Sequence, residues 1–122
     1  LLSEKDRQDL RARTKAFALR IIRLYVSLPK TTEAQVIGKQ VLRSGTSPGA
    51  HYREAIRARS TAEFISKLEG ALQELEETIY WLELLIESEI VIESRLQGLL
   101  HEAEELISIF VSSAKTAKRR ND

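Results

Sequence analysis

Three observations predict an all-α chain folded as an up-down-up-down antiparallel four-helix bundle. Apolar residues recur at three- and four-residue steps through four separate blocks of the chain. With only 5 Gly and 2 Pro in 122 residues, it lacks the turn-forming residues that an all-β fold needs. Ser, Thr and Pro signals fall between the blocks, where helix starts and stops belong. The length suits one domain, expected over residues 1–114, followed by a basic flexible tail at 115–122.

The first helix is expected over about residues 7–28. Leu10, Thr14, Phe17, Ile21, Leu24 and Leu28 form its apolar stripe, and Arg11, Arg13, Lys15, Arg20 and Arg23 lie largely on other faces. Leu28-Pro29 ends it, because the residue before proline is pushed out of the α region. The second helix is expected over about 32–58, with Thr32 as N-cap, Gln35 closing a capping box and Glu33 adding negative charge to the first turn. Ile37, Val41 and Leu42 carry it to Gly45, Pro48 and Gly49. An interior proline removes one hydrogen bond and clashes with the preceding turn, at about 3 kcal/mol. A break or kink at residues 44–47 is therefore expected, with Ser47 able to cap a renewed helix.

Ser60 and Glu63 form a capping box that opens the third helix, over 61–87. Its buried stripe reads Phe64, Leu68, Ala71, Leu72, Leu75, Ile79 and Leu82. The turn at 87–90 has neither Gly nor Pro to mark it. The fourth helix, over about 91–113, follows Leu96, Leu99, Leu100, Ala103, Leu106, Ile107 and Phe110. Both C-terminal helices are apolar across more than one stripe, so an oligomer covers them more fully than a monomer.

Charge divides the chain. Residues 1–60 hold 13 Lys/Arg against 5 Asp/Glu, residues 61–114 hold 2 against 12, and residues 115–122 hold 4 against 1. Two readings follow: the basic and acidic helices pair within or between subunits, or a basic surface meets nucleic acid. Arg43, Arg53, Arg57 and Arg59 are the leading phosphate-contact candidates. Arg53 and Arg57 share a helix face by their four-residue spacing. Arg20, Arg23, Lys118, Arg119 and Arg120 are further candidates. Tyr52, Tyr80 and Trp81 are expected at a helix or subunit interface, where aromatic rings bury most of their area.

Other classes find little support. The chain has no Cys, so it offers no disulfide, thiolate nucleophile or thiolate metal site. Its two histidines, His51 and His101, lack the Glu-x-x-His repeats of a di-metal bundle. Ser44, Thr46 and Ser47 lie near His51 but without the nucleophile elbow, and no phosphate-binding glycine loop occurs. A non-enzymatic protein without cofactor or metal is the expectation. No signal-like segment or long apolar run is present, so a cytoplasmic location away from membranes is expected.

The stretch RSGTSPGAHYREA at residues 43–55, the SxxEF opening of the third helix, the run KLxxALxELEETxYWLELL and an upstream Phe-Ala-x-x-x-Ile followed by Leu-Pro form one combination. It resembles the bacterial four-helix bundle family encoded in intervening sequences of 23S rRNA genes, over about residues 10–110. The family is similar to the accessory variability protein of diversity-generating retroelements. The resemblance implies a ring-like homopentamer that binds RNA or DNA, with a reverse transcriptase or another protein as partner. Arg43-Ser44, Ser47, Gly49 and Glu54-Ala55 match its central motif. Phe64, Leu68, Ala71, Glu74 and Tyr80-Trp81-Leu82 match its third helix. His51 stands where Asn is usual and Pro48 where an aliphatic residue is common. The resemblance also favours one continuous, kinked second helix over a break. A protein-interaction scaffold with charge-complementary interfaces is the alternative function.

Overall fold

The structure, a computed structural model, describes residues 2–121. Four helices follow in order: α1 (Glu4–Ser27), α2 (Thr32–Ile56), α3 (Thr61–Glu87) and α4 (Glu93–Asn121). Consecutive helices pack side by side, and α1 and α4 close the bundle at a wider separation. The up-down-up-down order places the start of α1, the end of α2, the start of α3 and the end of α4 at one end of the molecule.

Each boundary has a local cause. Ser3 caps α1 by accepting from the Asp6 amide at 3.1 Å, so the helix starts earlier than expected. Leu28 is extended ahead of Pro29, as the sequence requires. Thr31, not Thr32, caps α2, accepting from Ala34 N at 3.4 Å. Gln35 therefore does not close a capping box. Its amide instead ties the α1–α2 turn together, donating to the Pro29 carbonyl at 2.8 Å and accepting from the Tyr25 hydroxyl at 3.1 Å. Ser60 caps α3 as expected, with Glu63 N at 3.1 Å.

The α3–α4 turn needs neither Gly nor Pro. Glu89 takes φ 62, while Ile90 N reaches the Leu85 carbonyl at 3.0 Å and Glu89 N that of Ile86 at 2.9 Å. These are the paired bonds of a Schellman motif, which satisfies the last carbonyls of α3. The left-handed residue is simply a glutamate.

Pro48 does not break α2, which runs through it without interruption. Proline leaves the Ser44 carbonyl without its helical donor. Thr46 and Ser47 donate from their side chains to the Leu42 and Arg43 carbonyls at 2.7 and 2.6 Å. The Pro48 ring is itself buried. Beside it, α1 sits on a glycine stripe. A Cβ at Gly45 would lie 2.6 Å from Ile21 Cγ1, and one at Gly38 2.6 Å from Leu28 Cδ1. Close approach to α1 rather than a turn is what these glycines serve.

The core is continuous along the bundle, from Leu24, Leu28, Val41, Leu82, Leu85 and Val91 to Leu10, Tyr52, Phe64, Phe110 and Ala117. Tyr52 packs inside the bundle, between α2 and α4. It is wholly buried, stacks on Phe110 at 5.8 Å between ring centres and donates to the Arg7 carbonyl at 3.2 Å. Burial pushes its phenol up to about 12. The tail expected at 115–122 is instead helical as far as Asn121, because Ala114 and Ala117 continue the buried stripe of α4 beyond Phe110. Asp122 lies outside the described residues.

Candidate nucleic-acid interface

The glycine stripe brings α1 and α2 together and thereby aligns their outer cations. On α1, Arg7, Arg11 and Lys15 recur every four residues, rising about 6 Å per step along one face. Arg53 and Arg57 do the same on α2. The antiparallel packing sets these rows side by side.

Three surface depressions follow one another along this pair. The first, at the α2–α3 corner, is lined by Arg7, Ile56, Arg59, Ser60 and Phe64 among others. The second shares Ile56 and adds Arg11, Arg53, Glu54 and Arg57. The third shares Arg53 and adds Lys15, Ala18, Thr46, Gly49 and Ala50. One basic strip thus runs from Arg59 to Lys15. Glu54 is the acid within it, and Lys67 of α3 holds that carboxylate at 2.7 Å. The contact keeps the Glu54 carboxyl below the usual range. Among the described residues, Arg11, Lys15, Arg53, Arg57 and Arg59 make no ion pair.

Other cations are committed elsewhere. Arg43 leaves α2 toward α3, where its guanidinium bonds Glu74 at 2.9 Å and Glu77 at 2.8 Å. The Glu77 bond raises the Arg43 pKa. Arg13 ties α1 to α4, with its Nε and Nη2 donating to the two Glu102 oxygens at 3.0 and 2.7 Å and Nη2 donating further to Glu105 at 3.1 Å. Lys118 lies 3.3 Å from Glu69. Arg20 and Arg23 face the α1–α4 seam beside Arg95. Arg119 and Arg120 occupy the last turn of α4. The strip therefore gathers Arg53, Arg57 and Arg59 from the expected set, but neither Arg43 nor Arg20 and Arg23. Arg7, Arg11 and Lys15 were missed, although their four-residue spacing was there to be read.

The motif residues around Arg43 build the α2–α3 seam. Ser44 and Thr78, both wholly buried, place their hydroxyl oxygens 2.8 Å apart, and Thr78 Oγ1 lies 2.8 Å from the Glu74 carbonyl. One proton each satisfies both contacts if Ser44 donates to Thr78 and Thr78 to the carbonyl. The His51 ring lies over Gly70, where a Cβ would meet it at 3.2 Å. Among the described residues its Nδ1 is buried without a partner, as is Trp81 Nε1. Tyr80 stands exposed beside Trp81, edge to face at 4.9 Å. No group of three or more His, Asp and Glu side chains suited to a metal ion occurs among the described residues, nor a helix long and apolar enough to cross a membrane.

Comparison with known proteins finds a family and similar solved structures. The family model described as 23S rRNA-intervening sequence protein matches residues 7–112. A crystal structure of a protein of unknown function from the S23 ribosomal protein family of Bacteroides thetaiotaomicron is 40% identical, with a TM-score of 0.84, covering 89% of this chain and 97% of that one. No curated protein matches.

Proposed function

The chain belongs to the 23S rRNA-intervening sequence protein family, and from that premise we propose a non-enzymatic accessory protein that grips the phosphate backbone of RNA or DNA through the α1–α2 strip. One observation carries this reading. Five cations share a strip without ion pairs among the described residues, while Arg43 and Arg13, on other edges of the same helices, are fully engaged by glutamates. Cations left without a protein partner are available to displace the counterions of a polyanion. Among the described residues the aromatic ring lining the strip, Phe64, is buried, so the strip grips phosphates and leaves the bases unread.

In the same reading the working form is a ring-like homopentamer, which would repeat the strip around the assembly. The exposed Leu19, Ile22 and Val26 on α1, Val36 on α2 and Tyr80 on α3 support subunit association. The relation to the accessory variability protein of diversity-generating retroelements, with a reverse transcriptase as partner, rests on the motif at residues 43–55 and the third-helix run, and the cytoplasm as location on the lack of a long apolar helix among the described residues. A protein-interaction scaffold is the second reading, favoured by the Arg43 and Arg13 networks, which show basic and acidic helices already pairing.

Binding of RNA and DNA by wild type and by Arg11→Gln/Arg53→Gln/Arg57→Gln, measured from about 50 to about 200 mM salt, tests the proposal. Wild-type affinity should fall steeply with salt. The variant should bind more weakly, with a slope shallower by about 0.9 for each duplex phosphate contact removed. No binding by assembled wild type at low salt sinks the proposal. Mass measurement before and after nuclease treatment separates it from the scaffold reading.

A further inference from the structure

On the other side of α1 from the strip, Arg20 and Arg23 line a depression with Arg95 of α4, over a floor of Leu24, Leu96 and Leu99. No acidic residue lines it. The three leucines are buried, so the guanidiniums stand over an apolar surface that strengthens their field. Arg95 Nη2 donates to Ser27 Oγ at 2.6 Å. Arg20 lies against the backbone of α4 at Gly98, where an added Cβ would meet Arg20 Nη2 at 2.9 Å and no other side chain. Gly98 is exposed in mid-helix, a position where glycine weakens a helix relative to alanine. What its missing side chain accommodates is the Arg20 guanidinium.

From this geometry we propose a seat for a phosphate group formed by Arg20, Arg23 and Arg95 on the α1–α4 seam, separate from the α1–α2 strip and independent of its function. Three guanidiniums suit an anion with more than one negative charge and several acceptor oxygens. A phosphate has both, and arginine forks meet it two bonds at a time. Glu102, whose charge Arg20 senses, hydrogen-bonds through both of its oxygens to Arg13 and to none of the three seat arginines. The phosphate can come from a small oligophosphate or from a nucleic-acid backbone, and the two sources differ in what a variant would do.

The test titrates pyrophosphate into the full chain by calorimetry and amide NMR at low salt, with wild type, Arg20→Gln, Arg95→Gln, Gly98→Ala and Arg53→Gln. Wild type should bind, with the Gly98 and Leu99 amides shifting. Arg20→Gln and Arg95→Gln should each weaken binding about tenfold, the effect of one lost charge-assisted bond. Gly98→Ala should raise the melting temperature through helix propensity and, because only the flexible end of Arg20 has to move, weaken pyrophosphate binding less than Arg20→Gln does. Arg53→Gln should leave the Gly98 and Leu99 amide shifts unchanged. Failure of wild type to bind pyrophosphate, or undiminished binding by Gly98→Ala and Arg20→Gln, overturns the seat whatever the strip does. Duplex affinity measured on the same variants then names the source. A parallel loss points to a polymer phosphate and an unchanged affinity to a small ligand.

Discussion

Arg43 and Arg53 leave the same helix, both exposed, and end in opposite settings. Arg43 points at α3, whose Glu74 and Glu77 hold it on two sides. Arg53 points at α1, whose facing residues include Lys15 and Arg11. The composition of the facing helix, not that of α2, decides whether an arginine is a strut or a contact. One edge of α2 is closed by complementary charge and a buried hydroxyl pair. The other concentrates like charge, which is stable only because water and salt screen it. A polyanion would relieve it, and the comparison can be broken at each edge in turn.

The largest effect is expected from Gly45→Leu. A side chain at this position enters space held by Ile21, which has no exposed surface and no room to retreat. Overpacking of this kind costs about 3 kcal/mol, read as a lower denaturant midpoint. Because α1 would be pushed from α2, nucleic-acid binding should also weaken although no cation is touched. An unchanged midpoint would mean that the two helices do not meet through their glycines.

Thr78→Val comes next. It leaves the Ser44 hydroxyl in a buried site without its partner, at about 1–2 kcal/mol. Adding Ser44→Ala should return part of that loss, since removing both members of a buried pair costs less than removing one. Additive losses from the two changes would show that the hydroxyls act independently. Strip binding should be unaffected throughout.

The arginines themselves give a smaller but more pointed contrast. Arg43→Gln should cost about 0.5–1 kcal/mol of stability, limited by solvent screening, and leave nucleic-acid affinity unchanged. Arg53→Gln should do the reverse, with stability unchanged within about 0.5 kcal/mol and affinity reduced several-fold. Equal behaviour of the two variants in either measurement would remove the distinction between the edges.

How much of this was legible from residues alone depends on how far apart the deciding partners lie. The Ser60 cap and the stop at Leu28-Pro29 are local and were read correctly. The four helices and their stripes follow from periodicity within each block. At Pro48 the local signal allows a break or a kink, and the helix continues because the buried proline ring and the glycine-lined contact with α1 hold it in place. The tail was judged by its charges, while Ala114 and Ala117 continued the buried spacing unnoticed. Arg53 and Arg57 were visible as a pair on one face. That Arg11 and Lys15 join them, and that Arg43 does not, depends on which helices face each other and in what register. No spacing within α2 contains that information. That Tyr52 meets a ring within the bundle depends on the same information, since Phe110 lies on another helix.

The smallest effect is expected at the α1–α4 seam, and it depends on pH. The hydrogen bond from Arg13 holds the Glu102 carboxyl below the usual carboxylate range. Arg13 is shifted upward by the same contact and stays charged at any ordinary pH, so the titration belongs to the glutamate. A carboxyl with a depressed folded pKa contributes stability above its unfolded value of about 4.3 and loses it as pH falls through the folded value. Wild type should therefore exceed Glu102→Gln by about 0.5–1 kcal/mol at neutral pH, and the two should converge in acid. A difference that persists below the folded value would assign the role of Glu102 to packing rather than charge. The seam is the one place where neighbouring helices stand apart. Loss of this tie should accordingly speed hydrogen exchange in α1 and α4 before it does so in α2 and α3.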